Sequence, residues 1–452
     1  MEKRPSVLSL FTGIGLHDLG LQRAGWHIAG QCEIDEFCTK VLAKHWPDIP
    51  RWKDVKDVTA ASVREACGRT PDIVTGGFPC QSVSCAGKGE GIGTEEAPTE
   101  RSGLWWQMKR VIEELMPPWV LVENVPALKQ RGVDEVLKSL EKLGYQCWPL
   151  VVGAWAAGAP HSRNRVWIVA TNRKIGLVND CVPTLRGMRW PMGQGTEQFD
   201  WEHPRLVRST RGDDPGTRRN QIKALGNANP PHVPEALGWA IRNLLEAQSG
   251  EVLLPEPPKD KNELVFTSPV DEDSEGDRYS QVGRLLRKML KSQLPAKGAW
   301  KRSKTPRGRN WWVFRPLVKF KAGKAWHTPR AIYGEHPGIT STTHLPGQAI
   351  MWATPRASDA SHGGPNQRDS AGNYALPAQV FHVGGPWPTP RASEHKDCGP
   401  KGSKSQRHML GKKYLCATVA EIEGHEPSEG TYKLSPAWEA QLMGAPEGWL
   451  DL

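Results

Sequence analysis

The chain has 452 residues, 38% of them hydrophobic and 24% charged, and its 59 lysines and arginines against 49 carboxylates give a net charge of +10. That length predicts two or three folding units, and the basic excess suits a polyanionic partner without naming one. No run of about 18 apolar residues is present, which excludes a membrane-spanning helix. The first residues lack the apolar core of a secretory signal. The nine cysteines are never spaced as Cys-x-x-Cys, which argues against a zinc ribbon or disulfide scaffold, predicts no metal, and points to a reducing, cytoplasmic setting.

Residues 6–11 read as a buried strand and 19–24 as the helix after it; 27–32 read as a second strand and 35–45 as a second helix. Further strands are expected at 72–75, 119–122, 146–152 and 166–170, with helices at 103–116 and 134–143 among them. Short apolar strands alternating with helices predict an α/β domain over residues 1–250: an open, mostly parallel, Rossmann-like sheet with helices on both faces, ligands lying at the C-terminal strand ends.

The remaining chain divides by charge. Residues 251–277 hold nine carboxylates, two lysines and four prolines, the composition of a solvated linker. Residues 278–334 hold 16 lysines and arginines and no carboxylate, interleaved with Trp300, Trp311, Trp312, Phe314 and Trp326. A basic run of that length reads as a nucleic-acid surface at the head of an otherwise irregular extension, 278–452. A pattern W-x-T-P-R-A recurs there at Trp326, Trp352 and Trp387, too unevenly spaced for a solenoid. Its arginines (Arg330, Arg356 and Arg391) either contact phosphate or pack on their own tryptophans.

Chemistry concentrates in the first 250 residues. The first strand opens into Phe11-Thr-Gly13-Ile-Gly15, where glycines let backbone approach a ligand. Glu33 follows at the end of the second strand, where a carboxylate binds ribose hydroxyls. Asp54 is placed to take an adenine amino group. Pro79-Cys80-Gln81 follows a strand and precedes a glycine-rich loop, a setting for a nucleophile beneath a lid. A buried strand ends in Glu123-Asn124-Val125, where a carboxylate needs a partner. Arg163 and Arg165, at i and i+2 entering a strand, are expected to point to one side, toward an anionic or carbonyl-rich substrate.

Together with Ala224-Leu-Gly226-Asn227-Ala228, these motifs in this order resemble the DNA (cytosine-5)-methyltransferases, of the phage or bacterial type with a C-terminal extension. The resemblance implies S-adenosyl-L-methionine as cofactor, held by Phe11, Gly13, Gly15, Glu33, Ile34, Asp54, Val55, Pro79, Leu104 and Asn227. It implies a flipped cytosine attacked at C6 by Cys80, with Glu123 serving N3, Arg165 holding O2 and Arg163 ordering the site. Double-stranded DNA is the implied partner, met by Gln81, Ser84 and Asn124, by a chain acting as a monomer. A catalytically silent DNA-binding relative and an RNA methyltransferase of the same family are the alternatives.

Three departures stand out. Leu16 replaces a common glycine of the cofactor turn, and His161 replaces the usual glutamine before Arg163. About 30 residues separate Ala170 from the stretch leading to Asn227, too few for the family's target-recognition domain. Recognition is therefore expected to have moved to 278–452, with Arg307, Arg309, Arg330, Arg356 and Arg391 on DNA. The tail 434–449 is similar to the segment that family usually places just before its Gly-Asn motif.

Overall fold

The computed structural model describes residues 4–79, 91–99, 102–175, 200–208, 215–252, 278–296, 298–316, 387–393, 404–423 and 432–452, with a few single positions between 182 and 198. The strands are β1 (Ser6–Leu10), β2 (His27–Cys32), β3 (Arg51–Trp52), β4 (Ile73–Gly76), β5 (Trp119–Asn124), β6 (Gln146–Gly153), β7 (Asn164–Thr171), β8 (Arg173–Ile175), β9 (Leu206–Arg208), β10 (Gln248–Val252), β11 (Gly298–Lys304), β12 (Asn310–Pro316) and β13 (Tyr432–Leu434). The helices are α1 (Leu16–Arg23), α2 (Glu36–His45), α3 (Ala60–Cys67), α4 (Trp105–Leu115), α5 (Val133–Lys142), α6 (Pro215–Asn227), α7 (His232–Glu246), α8 (Arg278–Gln293), α9 (Lys404–Gly411), α10 (Leu415–Glu423) and α11 (Pro436–Leu442).

Nine strands form one sheet in the order β11-β12-β6-β7-β5-β4-β1-β2-β3. β3, β2, β1, β4 and β5 are mutually parallel, β7 runs antiparallel to both β5 and β6, and β12 lies parallel to β6. β1 and β4 are buried at every position, as strands covered on both faces must be. Alternation sends successive side chains to opposite faces. Val7 and Leu121 join the cluster under α1, α7 and α8, and Leu8, Val120 and Val122 join the one under α4 and α5. Those helices supply the matching stripes: α4 buries Trp105, Met108, Val111, Ile112 and Leu115, the spacing of one helical face.

The extension, expected to be irregular, forms helices and strands over much of its described length, while 387–393 and 443–452 are bridge and turn. α8 packs Leu286, Met289 and Leu290 into the same cluster as α1 and α7. The β11–β12 hairpin pairs Trp312 with Leu150 and Val313 with Val151, lengthening the sheet at the β6 edge. Its aromatic residues face inward: Trp311 and Phe314 are buried, Trp300 donates its indole N–H to the Arg287 carbonyl at 2.9 Å, and Trp312 lies 3.8 Å beneath the Arg287 guanidinium. The tail closes a second small core, with α11 capped by the Ser435 hydroxyl and Trp438 buried against Trp387 and Leu415.

One expected DNA contact, Arg309, is corrected here, while the Arg307 side chain stays 48% exposed. Arg309 is 7% exposed; its guanidinium makes two 2.9 Å contacts with the Glu141 carboxylate and lies 3.7 Å from Asp134. Arg307 reaches Glu135 at 2.9 Å and gives its backbone N–H to Asp134. Both arginines therefore dock the hairpin turn on the acidic residues of α5. Lys301, Arg302 and Lys304 remain exposed on the edge strand. Arg330 and Arg356 lie outside the described residues.

Candidate active site

At the C-terminal ends of β1, β2, β4 and β5 lies a cavity of about 370 Å³ lined by Phe11, Gly13, Glu33, Ile34, Pro79, Glu123, Asn124, Arg165 and Asn227, among others. Each strand delivers its motif to the same rim, as the parallel topology requires.

The β1–α1 turn takes left-handed backbone at Phe11, Gly13 and Gly15, with φ of 54°, 60° and 77°. Phe11 adopts this conformation despite its side chain, a local strain of the kind found where a turn is shaped for a ligand. The Glu33 carboxylate accepts from the Gly13 N–H at 2.7 Å and the Asp35 N–H at 2.8 Å. Burial raises its pKa, partly offset by those bonds. Ile34 is 65% exposed while lining the cavity, an apolar surface suited to a heteroaromatic ring. Nothing lies within 4 Å of where a Cβ on Gly13 would sit. An open glycine turn, a carboxylate beside it and an exposed isoleucine fit a nucleoside cofactor.

Four expected cofactor residues do not line this cavity. Gly15 opens α1 at φ 77°, and a Cβ there would collide with Trp46. The Asp54 carboxylate accepts from the Lys56 N–H at 3.0 Å and caps a short 3-10 turn. Val55 is buried in that turn, and Leu104 is the residue before α4.

At the opposite end, Glu123 and Arg165 form an ion pair at 3.0 Å. Burial raises the Glu123 pKa, opposed by Arg165, Asn229 and Arg163. Gly77 leaves room for this carboxylate, because a Cβ there would lie 2.5 Å from Glu123 Oε2. Asn124, expected on DNA, is corrected: it is 2% exposed, and its amide donates to the Phe78 carbonyl at 3.0 Å and accepts from the Val125 N–H at 2.8 Å. It ties the end of β5 to the segment leading into Pro79.

The two arginines have different partners. Arg163 has a φ of 25°, which breaks strand alternation just before β7 begins. Its guanidinium donates to the carbonyls of Pro390 and Gly226, both at 3.0 Å. His161 lies buried with Nε2 2.9 Å from the Leu442 carbonyl, and burial lowers its pKa to about 3, so it is neutral. Arg391 sits 4.9 Å over the Tyr414 ring while remaining exposed; the ring it meets is not that of its own tryptophan.

Cys80, Gln81 and Ser84 lie outside the described residues. Among the described cysteines, Cys32, Cys38, Cys67 and Cys147 have thiols pushed up by burial, Cys32 to about 12, which leaves them inert near neutrality. The sequence reading missed His17, Lys223 and Asn229, all lining the cavity. Asn229 follows the Gly226-Asn227 motif by two residues, a signal that adjacency alone supplied. His17 immediately follows the noted Leu16.

Residues 6–230 match the family model for C-5 cytosine-specific DNA methylases, and through them the chain belongs to that family. It is similar to the type II methyltransferase M2.BsuMI of Bacillus subtilis (34% identity over 173 residues, 36% of this chain and 41% of the relative). It is also similar to M.Eco47II of Escherichia coli (34% over 179 residues, 38% and 40%). The chain thus spans about two fifths of the length of these curated relatives. Among solved structures, the Schizosaccharomyces pombe Dnmt2 methyltransferase aligns with 21% identity over 37% of this chain and 50% of that one, at a TM-score of 0.31. Among the described residues no group of His, Cys, Asp and Glu could hold a metal ion, and no helix is long and apolar enough to cross a membrane.

Proposed function

We propose that the chain transfers a methyl group from S-adenosylmethionine to C5 of cytosine in a specific duplex DNA sequence. The carrying observation is the Glu123–Arg165 pair at 3.0 Å, set across one cavity from the Gly13–Glu33 turn. Cytosine C5 is a poor nucleophile, so the ring must be activated before it can take a methyl group. The family's Pro-Cys motif assigns that step to Cys80: its thiolate forms a bond to C6 while N3 receives a proton. Glu123, its pKa raised by burial, is the group suited to hold that proton, and Arg165 then offers N–H donors to O2 and keeps the carboxyl oriented. S-adenosylmethionine supplies the methyl as an electrophile for C5 when bound, with Glu33 and Ile34 as the residues that would hold its nucleoside. A base then takes the C5 proton, the C6–S bond breaks, and the thiolate leaves. The ring is unreachable inside a helix, so the target base must leave the stack.

The test is methyl transfer from labelled S-adenosylmethionine to genomic duplex DNA, followed by nucleoside identification. Label in 5-methylcytosine, lost in Cys80→Ser, is expected. Transfer to RNA and to no DNA, or no transfer despite cofactor binding, would overturn the reading.

A further inference from the structure

We propose that the third W-x-T-P-R-A copy, residues 387–392, is a positioning element of the active site, acting through Thr389 and Pro390 on Arg163. The inference rests on the function proposed above for what Arg163 serves, but the contact itself does not. The segment is anchored by Trp387, which is 2% exposed. Its backbone N–H donates to the Pro160 carbonyl at 2.7 Å. Its ring meets Trp438 edge-on at 5.3 Å and carries the Arg205 guanidinium 5.2 Å away. Two residues on, the Thr389 hydroxyl accepts the Arg163 backbone N–H at 3.1 Å and lies 3.2 Å from the Ser162 hydroxyl. The Pro390 carbonyl then accepts from the Arg163 guanidinium at 3.0 Å.

These bonds hold a residue that would not hold itself. Arg163 is a non-glycine at a φ of 25°, a conformation that persists only where its surroundings over-determine it. Its side chain is 2% exposed, and a buried guanidinium needs acceptors. One comes from the repeat and one, the Gly226 carbonyl, from the Gly-Asn motif. Gly226 must be glycine for the same reason: a Cβ there would run into the backbone of Arg391 and Ala392. The repeat, the Gly-Asn motif and the segment entering β7 therefore meet at one side chain. Arg165, two residues along, is the partner of Glu123. Loosening Arg163 should thus blur the Glu123–Arg165 geometry without touching the Gly13–Glu33 turn.

Thr→Val keeps shape and removes the acceptor, whereas Thr→Ser keeps the acceptor. In the full chain, Thr389→Val is expected to speed amide hydrogen exchange across 160–165 by about tenfold and to lower kcat by about tenfold, the worth of a hydrogen bond of this kind. S-adenosylmethionine affinity should stay unchanged, and Thr389→Ser should restore both readouts. Thr354→Val, the same change in the second copy, should alter neither. Unchanged exchange across 160–165 in Thr389→Val, or an equal effect from Thr354→Val, would overturn the inference. If the unaltered protein transferred no methyl group, the proposed function would fall, while the exchange comparison would still decide the contact.

Discussion

The indole N–H of Trp449 donates to the backbone carbonyl of Ile14 at 2.9 Å. It joins residues 435 positions apart and places the tail on the cofactor turn. The Trp449 ring stacks on His45 at 3.6 Å, and Lys44 reaches the carbonyls of Gly448 and Asp451. Trp449→Phe keeps an aromatic ring and removes the donor. It should cost about 1 kcal/mol of stability and weaken S-adenosylmethionine binding several-fold, as calorimetry with the purified variant would show. Binding equal to that of the unaltered protein would mean that the tail covers the turn without shaping it.

Arg309 separates two uses of basic charge. If it docks the hairpin on α5 through Glu141 and Asp134, Arg309→Met should lower stability by about 3 kcal/mol, the scale for breaking a buried pair. The salt dependence of DNA binding should keep its slope, since each phosphate contact contributes close to one unit of that slope. Chemical denaturation and a salt titration of DNA affinity read the two effects apart. A stable variant with a shallower slope would return Arg309 to the DNA surface.

Glu123 sets a pH dependence of activity. Burial raises its pKa, so the proton available to N3 is present at lower pH and is lost as pH rises through that raised value. The kcat/KM profile should therefore carry an alkaline limb due to Glu123. Glu123→Gln keeps an N–H but has no titrating proton, and it should remove this limb while lowering kcat by about a hundredfold. An identical limb in Glu123→Gln would assign the proton to another group.

Asp18 sets a pH dependence of stability. It is fully buried behind the cofactor turn, accepting from the Ser9 hydroxyl at 2.6 Å and the Gln31 amide at 2.9 Å. Burial raises its pKa from 3.8 to about 6. A raised folded value favours the folded state fully below the unfolded pKa, and that contribution is lost as pH climbs through about 6. The effect is on the order of 3 kcal/mol. Melting temperatures from pH 4 to about 7 should fall for the unaltered protein more steeply than for Asp18→Asn. Parallel curves would show that Asp18 does not titrate in that window.

The first 250 residues were legible because their signals are local. Short, largely apolar runs such as Val7–Leu10, followed by a glycine turn, fit strands buried on both faces, and the motifs sit where those strands end. What was not legible depends on distant partners. Arg309 looked like part of a nucleic-acid surface because a run of lysines and arginines reads the same whether its acids are phosphates or Glu141, some 170 positions away. The pairing of β12 with β6 is likewise non-local, with Trp312 opposite Leu150. The separate partners of Arg163 and Arg165 were not legible for a different reason: i and i+2 share a side only in regular strand, and Arg163 has left regular strand geometry. Asp54, expected at an adenine amino group from its place after α2, also precedes a short helical turn and caps it.

The most direct measurement of the central claim follows the hydrogen at C5 itself. Duplex DNA tritiated at cytosine C5 is mixed with the protein and S-adenosylmethionine, and tritium released to water is counted against methyl groups transferred. One tritium is expected to be released per methyl transferred, and neither event is expected in Cys80→Ser. Methyl transfer without tritium release, with N4-methylcytosine as the product, would contradict it.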